Sequence, residues 1–145
     1  MSDVATSRSG SRTVARKLAL QALYRWQLNE CPWQDLVSEF AGAEDMARAD
    51  GEYFRALVVG VTASRAELDA ALQPLLDRTP ELLDPIEHAV LLIGTHELRH
   101  CPDVPFRVVI NEAVALAKRF GATDGYRYIN GVLDKGARLW RPHEH

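Results

Sequence analysis

The chain has only two cysteines in 145 residues, Cys31 and Cys101, far apart and in no spacing that ligates a metal. A disulfide framework is therefore excluded, and a reducing compartment, the cytoplasm, is expected. Long apolar runs are also missing, since none approaches the ~18 residues needed to cross a bilayer. The opening MSDVATSRSGSR is polar and lacks the apolar stretch of a secretory signal, so export is not expected. No glycine-rich loop follows a strand, which removes the phosphate cradles of nucleotide enzymes. There is no nucleophile elbow, and Asp77, Glu81, Asp84 and Glu87 fall where turn and capping residues belong. Period-two alternation is absent as well. RALVVGV and RVVIN are β-branched, but each is embedded in a longer helical pattern. These absences point away from an enzyme and imply no cofactor.

What is present is helical periodicity, nearly from end to end. From Thr13, the residues Ala15, Leu18, Ala19, Ala22 and Trp26 form one stripe, with Arg16, Lys17, Gln21, Tyr24 and Arg25 on the other side. PWQDLVSEF is a short second helix opened by Pro32. A longer helix over Glu52 to Leu72 buries Phe54, Leu57, Val58, Val61, Leu68 and Leu72. In DPIEHAVLLIGTHELRH, Asp84 caps, Pro85 takes the first helical position and Glu87 completes a capping box. FRVVINEAVALAKRF is closed by Gly121 as a C-terminal cap. The last helix starts at Thr123 or Asp124 and buries Ile129, Val132, Leu133, Gly136 and Trp140. Gly131 and Gly136 are costly inside a helix and suggest close packing. The fold class is all-α, a bundle of about seven helices. Residues 1–11 read as a disordered tail and residues 12–142 as one helical domain. Its two sub-bundles, about 12–75 and 80–142, are parted by the Pro74 to Pro80 region.

Charge is distributed unevenly. Residues 1–30 carry Arg8, Arg12, Arg16, Lys17 and Arg25 against Asp3 and Glu30, an excess of three cations in a chain of net charge −3. A basic end on an acidic body argues against general polyanion binding and permits a local one. Arg12, Arg16 and Lys17 could present paired donors to phosphate, or simply solvate a helix end. In the last helix Arg127, Tyr128 and Asn130 lie outside the apolar stripe, and Phe120 closes the helix before it. Aromatic rings beside cations suit unpaired RNA bases, whereas a packed Tyr128 with its hydroxyl in water is the plainer alternative.

HELRH, His96 to His100, matches the zinc-protease pattern H-E-x-x-H, which places two imidazoles on one helix face. Here it occupies a last helical turn, where Arg99 and His100 complement the helix dipole without a metal. Neither Glu112 nor His88 is marked as a third ligand, and no metal site is expected.

ARKLALQALYRWQ, YFRALVVGV, VPFRVVINEAVALAKRFGATDGYRYINGVLDK and a late RP together resemble the bacterial NusB antitermination family over about residues 12–142. The resemblance implies two small helical bundles and a non-enzymatic role. It implies binding to boxA RNA with the ribosomal protein NusE, within an antitermination complex on RNA polymerase during ribosomal RNA synthesis. It places RNA contacts at Arg12, Arg16, Lys17, Phe120 and Tyr128, with Asp124 as an acidic residue that tunes RNA affinity. Family members commonly carry phenylalanine at the Tyr128 position. NusE contacts are implied at Tyr24 and Glu87. Thr13, Val14 and Ala15 interrupt the denser arginine run of some relatives. A protein scaffold with weak or indirect RNA contact is the alternative. A NusB-like domain is also fused to some ribosomal RNA methyltransferases, but no βαβ pattern is found here. Monomer and homodimer both suit the apolar pattern, and a dimer covering Arg12 to Lys17 would mask the RNA site.

Overall fold

Three helices of this chain start at or beside a proline, whose fixed φ and missing N–H suit a first turn. Pro32 and Pro105, with ψ of 144° and 142°, lead into α2 (Trp33–Ala41) and α5 (Phe106–Phe120). Pro85 opens α4 (Pro85–His100), and the Asp84 carboxylate accepts from the Ile86 and Glu87 N–H groups, each at 3.2 Å. The computed structural model describes residues 2–144, with side chains from Ser9 onward. Among these residues the remaining helices are α1 (Ser2–Leu28), α3 (Gly51–Leu72) and α6 (Gly125–Trp140), with 3₁₀ turns at Glu44–Arg48, Gln73–Leu75 and Pro80–Leu82. There are six α-helices where about seven were expected, and no strand among the described residues. Among the described residues no helix is long and apolar enough to cross a membrane.

The chain divides into two compact units, Met1–Ala63 and Ser64–His145. The division falls within α3, not at the Pro74 to Pro80 region. Ser64 leaves helical geometry at φ −121°, ψ 21°. Just before it, Thr62 Oγ1 donates to the Val58 and Val59 carbonyls at 2.8 and 3.3 Å, back-bonding of the kind that bends helices.

In the first unit α1 packs against α2 and the Glu44–Arg48 turn. Its buried stripe holds Ala15, Leu18, Ala19, Ala22 and Trp26, as the spacing predicts, together with Leu20 and Leu23. α1 reaches back to Ser2, so Ser9 to Ser11 are helical and not the end of a disordered tail; Met1 lies outside the described residues. Thr13 Oγ1 donates to the Ser9 carbonyl at 3.1 Å, and the Asp50 N–H donates to the Ser11 carbonyl at 3.0 Å. The second bond ties α1 to the residue that precedes α3.

In the second unit α4, α5 and α6 pack pairwise. α4 is buried on nearly every side from His88 to Leu98, the pattern of a central helix. α6 buries Ile129, Val132, Leu133 and Gly136, with Trp140 half-buried. The expected close packing at Gly131 and Gly136 is not between helices. A β-carbon at Gly136 would meet the Trp140 ring of its own helix at 2.6 Å, and one at Gly131 would meet nothing within 4 Å. The close approach is at Gly94 of α4, where a β-carbon would lie 2.8 Å from Leu133 Cδ1. Gly121 ends α5 in an extended conformation, φ −90°, not a left-handed one. It must be glycine because a β-carbon would lie 2.7 Å from the Ala117 carbonyl oxygen.

Past α6, Arg141 turns back into this unit and is only 8% exposed. Its guanidinium donates to four main-chain carbonyls. Nε reaches Leu98 at 2.9 Å, one terminal nitrogen reaches Glu97 at 2.9 Å and Cys101 at 2.8 Å, and the other reaches Val104 at 2.5 Å. The Glu97 carbonyl, which already accepts from the Cys101 N–H at 3.0 Å, gains a second donor. Leu98 at the end of α4 and the 101–104 connection are bonded to the same group, and Glu144 pairs with it at 3.0 Å. Lysine keeps the charge but lacks the fork. Arg141→Lys is expected to cost about 2–4 kcal/mol, several carbonyls losing their donor together, measured by urea unfolding against wild type.

Candidate nucleic-acid interface

Helical spacing puts Arg12 and Arg16 on one face of α1, and in the first unit that face meets Tyr53 of α3. The Arg12 guanidinium lies 4.2 Å from the centre of the Tyr53 ring and that of Arg16 5.4 Å. Arg12 Nε is also 3.7 Å from Asp50. Arg16, expected on the solvent-facing side, is instead 3% exposed. The ring of Tyr53 attracts both cations, which the spacing within α1 alone does not reveal. Lys17 pairs with Asp45, which also binds Arg48 at 2.6 Å. These two partners hold the Asp45 carboxyl at about 2, so it stays ionised at neutral pH. Tyr24, further along α1, is half-buried.

In the second unit Tyr128 is half-buried on α6, with its hydroxyl fixed. It donates to Asp77 Oδ1 at 2.9 Å and accepts from the Asp77 N–H at 3.2 Å. Arg78 grips the Asp77 carboxylate at 2.6 and 3.0 Å, and its guanidinium lies 4.9 Å from the centre of the Tyr128 ring. Arg78 and Tyr128 together hold the Asp77 carboxyl at about 2. The phenol of Tyr128 is pushed up, chiefly by burial. Phe120 is half-buried at the end of α5, with the Arg119 guanidinium 5.0 Å from its ring. Tyr126 has Lys118 at 4.7 Å and Arg127 at 5.8 Å. Between the 74–77 stretch and α6 lies a depression of about 360 Å³, with Leu75, Asp77, Arg127, Tyr128, Gly131 and Lys135 in its wall. Sequence reasoning missed Asp77, Arg78 and Lys135. Asp77 and Arg78 are remote from α6 along the chain, and no local pattern pairs them with Tyr128.

Asp124 stands at the start of α6 with φ 66°, and its side chain makes no capping bond. The expectation of a capping carboxylate is corrected: in a left-handed conformation the side chain lies 3.8 Å from Arg127 instead. Glu87 does not complete a capping box either. Its carboxylate is turned towards α6, where a β-carbon at Gly125 would collide with Oε1, so Asp84 caps α4 alone. Burial and the neighbouring Asp84 raise the Glu87 pKa, partly opposed by Arg78. In the HELRH segment Glu97 is 1% exposed, and the His96 and His100 rings lie 5.4 Å apart. His96 is held below its usual value by burial and by His100. Among the described residues no three His, Cys, Asp or Glu side chains are grouped to hold a metal ion.

Comparison with protein families matches residues 13–138 to the NusB family. The transcription antitermination protein NusB of Thiobacillus denitrificans is 50% identical over 130 residues, 90% of this chain and 90% of its own. That of Xanthomonas axonopodis pv. citri is 50% identical over 130 residues, 90% of this chain and 82% of its own. Among solved structures the fold is similar to T. maritima NusB, with a TM-score of 0.78 and 26% identity over 88% of this chain and 90% of that one. It is also similar to a chain in the crystal structure of antitermination factors NusB and NusE in complex with dsRNA. There the TM-score is 0.75 and the identity 24%, over 90% of this chain and 98% of that one, a likeness of fold alone.

Two outcomes test this geometry. Asparagine shares aspartate's tolerance of the left-handed region, and β-branched residues do not. Asp124→Asn should leave the thermal midpoint unchanged, whereas Asp124→Val should lose about 1–2 kcal/mol in chemical denaturation. The raised pKa of Glu87 means that the folded state binds this proton more tightly than the unfolded chain does. The resulting stability is complete below the unfolded value and is lost as pH rises through the folded one. Glu87→Gln should therefore raise the melting midpoint at pH 7, with the gain shrinking towards pH 4 in melts at several pH values.

Proposed function

The chain belongs to the NusB family of transcription antitermination proteins, and from that membership we propose that it binds boxA RNA together with the ribosomal protein NusE. The role is non-enzymatic and cytoplasmic, within an RNA polymerase antitermination complex that promotes ribosomal RNA transcription. What supports RNA as a ligand is the state of Tyr128: a ring with its hydroxyl tied to Asp77 and an arginine over its face. Such an aromatic is pre-oriented, so stacking a base on it costs little further ordering. Phe120 supplies a second ring and, in the first unit, Arg12 and Lys17 supply cations, while Arg16 is buried against Tyr53. Asp124 is the tuning residue, its negative charge opposing phosphate without any capping role. Tyr24 and Glu87 serve NusE.

One observation favours the second reading, a scaffold with weak RNA contact. Lys17 and Arg12 already face Asp45 and Asp50, so phosphate must compete with carboxylates of the same unit. Asp45→Asn removes the competitor of Lys17. It should tighten binding to boxA RNA and steepen its salt dependence, because one more cation is free to release counterions. The decisive measurement titrates boxA RNA against a scrambled strand, with and without NusE, at two salt concentrations. RNA recognition requires a preference for boxA that persists at the higher salt. Equal, steeply salt-dependent binding to both strands would leave only phosphate contact and favour the scaffold. In the same assay Asp124→Asn should bind boxA more tightly, and Glu87→Lys should weaken NusE binding more than RNA binding. Light scattering with and without RNA tests whether a homodimer covers Arg12 to Lys17.

A further inference from the structure

Gly131 has no structural reason to be glycine. It lies inside α6, is exposed, and has no positive φ to accommodate. A β-carbon there would meet nothing within 4 Å, whereas Gly94, Gly125 and Gly136 each face an atom that excludes one. Glycine is the poorest helix former after proline, so α6 bears a cost at this position that packing does not explain. A local rule broken without compensation in the fold points to a ligand.

The surroundings identify that ligand's chemistry. Helical spacing places Tyr128, Gly131 and Lys135 on one face of α6, and all three line the depression of about 360 Å³. That volume is at the small end of the roughly 300–1,000 Å³ of small-molecule sites. Its wall combines apolar surface from Leu75 and Val132 with Tyr128, the cation Lys135 and Arg127, whose guanidinium also faces Asp124 at 3.8 Å. The carboxylate in the wall, Asp77, is bound by Arg78 at 2.6 and 3.0 Å and so repels an anion less. A flat, partly apolar group attached to a negative charge meets all of these features, and a bare helix backbone lets it approach closely.

We propose that Gly131 forms the floor of a seat for one unstacked base of the bound RNA strand, with Lys135 and Arg127 taking the adjoining phosphates. The inference rests on RNA binding as proposed above and adds the position where a base leaves the stack. Its signature is two effects of opposite sign. Gly131→Ala should raise the thermal midpoint by a few degrees, because alanine suits a helix better. The same change should weaken boxA binding, and Gly131→Leu, which fills the seat, should weaken it on the order of tenfold or more, the scale of one lost base stack.

The test uses the full chain and boxA RNA carrying 2-aminopurine at one position at a time, followed by fluorescence and anisotropy. With wild type, one position should brighten on binding as its base unstacks, and Gly131→Leu should abolish that signal. If wild type does not prefer boxA over a scrambled strand, the proposed function itself fails. If wild type binds boxA but both Gly131 variants keep its affinity, or the bright position persists in Gly131→Leu, the base seat is wrong and RNA recognition stands. Should Gly131→Leu fail to fold, by circular dichroism, Gly131→Ala decides alone through its midpoint and its affinity. Loss of NusE binding with RNA binding intact would assign the depression to the protein partner and overturn the inference.

Discussion

The arginine that follows α6 sets the terms for the second unit. Of the carbonyls at the end of α4 and in its connection to α5, Glu97 and Cys101 also accept main-chain N–H groups, while Leu98 and Val104 take their donor from Arg141. A buried polar group that loses its donor is costly. Arg141 answers four of them from one planar group. Because the group belongs to the segment after α6, the exit of α6 is tied to the exit of α4 and the entry to α5. The register of α6 against α4, including Leu133 beside Gly94, follows from this tie and from the apolar stripe together. Tyr128 meets Asp77 only because α6 is held in that register.

Much of this was legible in the sequence wherever cause and effect lie within one helical turn. Asp84 and Pro85 announce α4, and the spacing of Ile129, Val132, Leu133 and Gly136 marks the buried side of α6. The readings that failed are those in which a distant partner decides. The period of α1 puts Arg16 on the solvent side, yet Tyr53 of α3 draws it inward. Glu87 has the spacing of a capping box, but its carboxylate is turned to Gly125. Gly121 terminates its helix as expected, through close approach to Ala117 and not through a left-handed turn. The clamp on Tyr128 was invisible because its members, Asp77 and Arg78, belong to the irregular stretch between α3 and α4.

The electrostatics of the two units differ in kind. In the first, cations are matched by carboxylates, so anion binding is an exchange of partners whose net gain is small. In the second, the carboxylate nearest the ring is itself bound by an arginine, and Lys135 and Arg127, the latter 3.8 Å from Asp124, stand at the rim of the depression. Recognition by such a surface depends less on total charge than on which ion pairs survive when an anion arrives. An overall charge of −3 is thus no obstacle to a polyanionic ligand.

The place of Arg141 along the chain has a consequence for biosynthesis. The described ion pairs of the first unit join residues within 1–63, so that unit can settle while later codons are still being read. The second unit cannot, because the guanidinium that satisfies α4 is translated after all three of the helices it ties together. Until it emerges, the Leu98 carbonyl of a nascent α4 lacks the donor that Arg141 brings, so the tie between α4 and the end of α6 is the last to form.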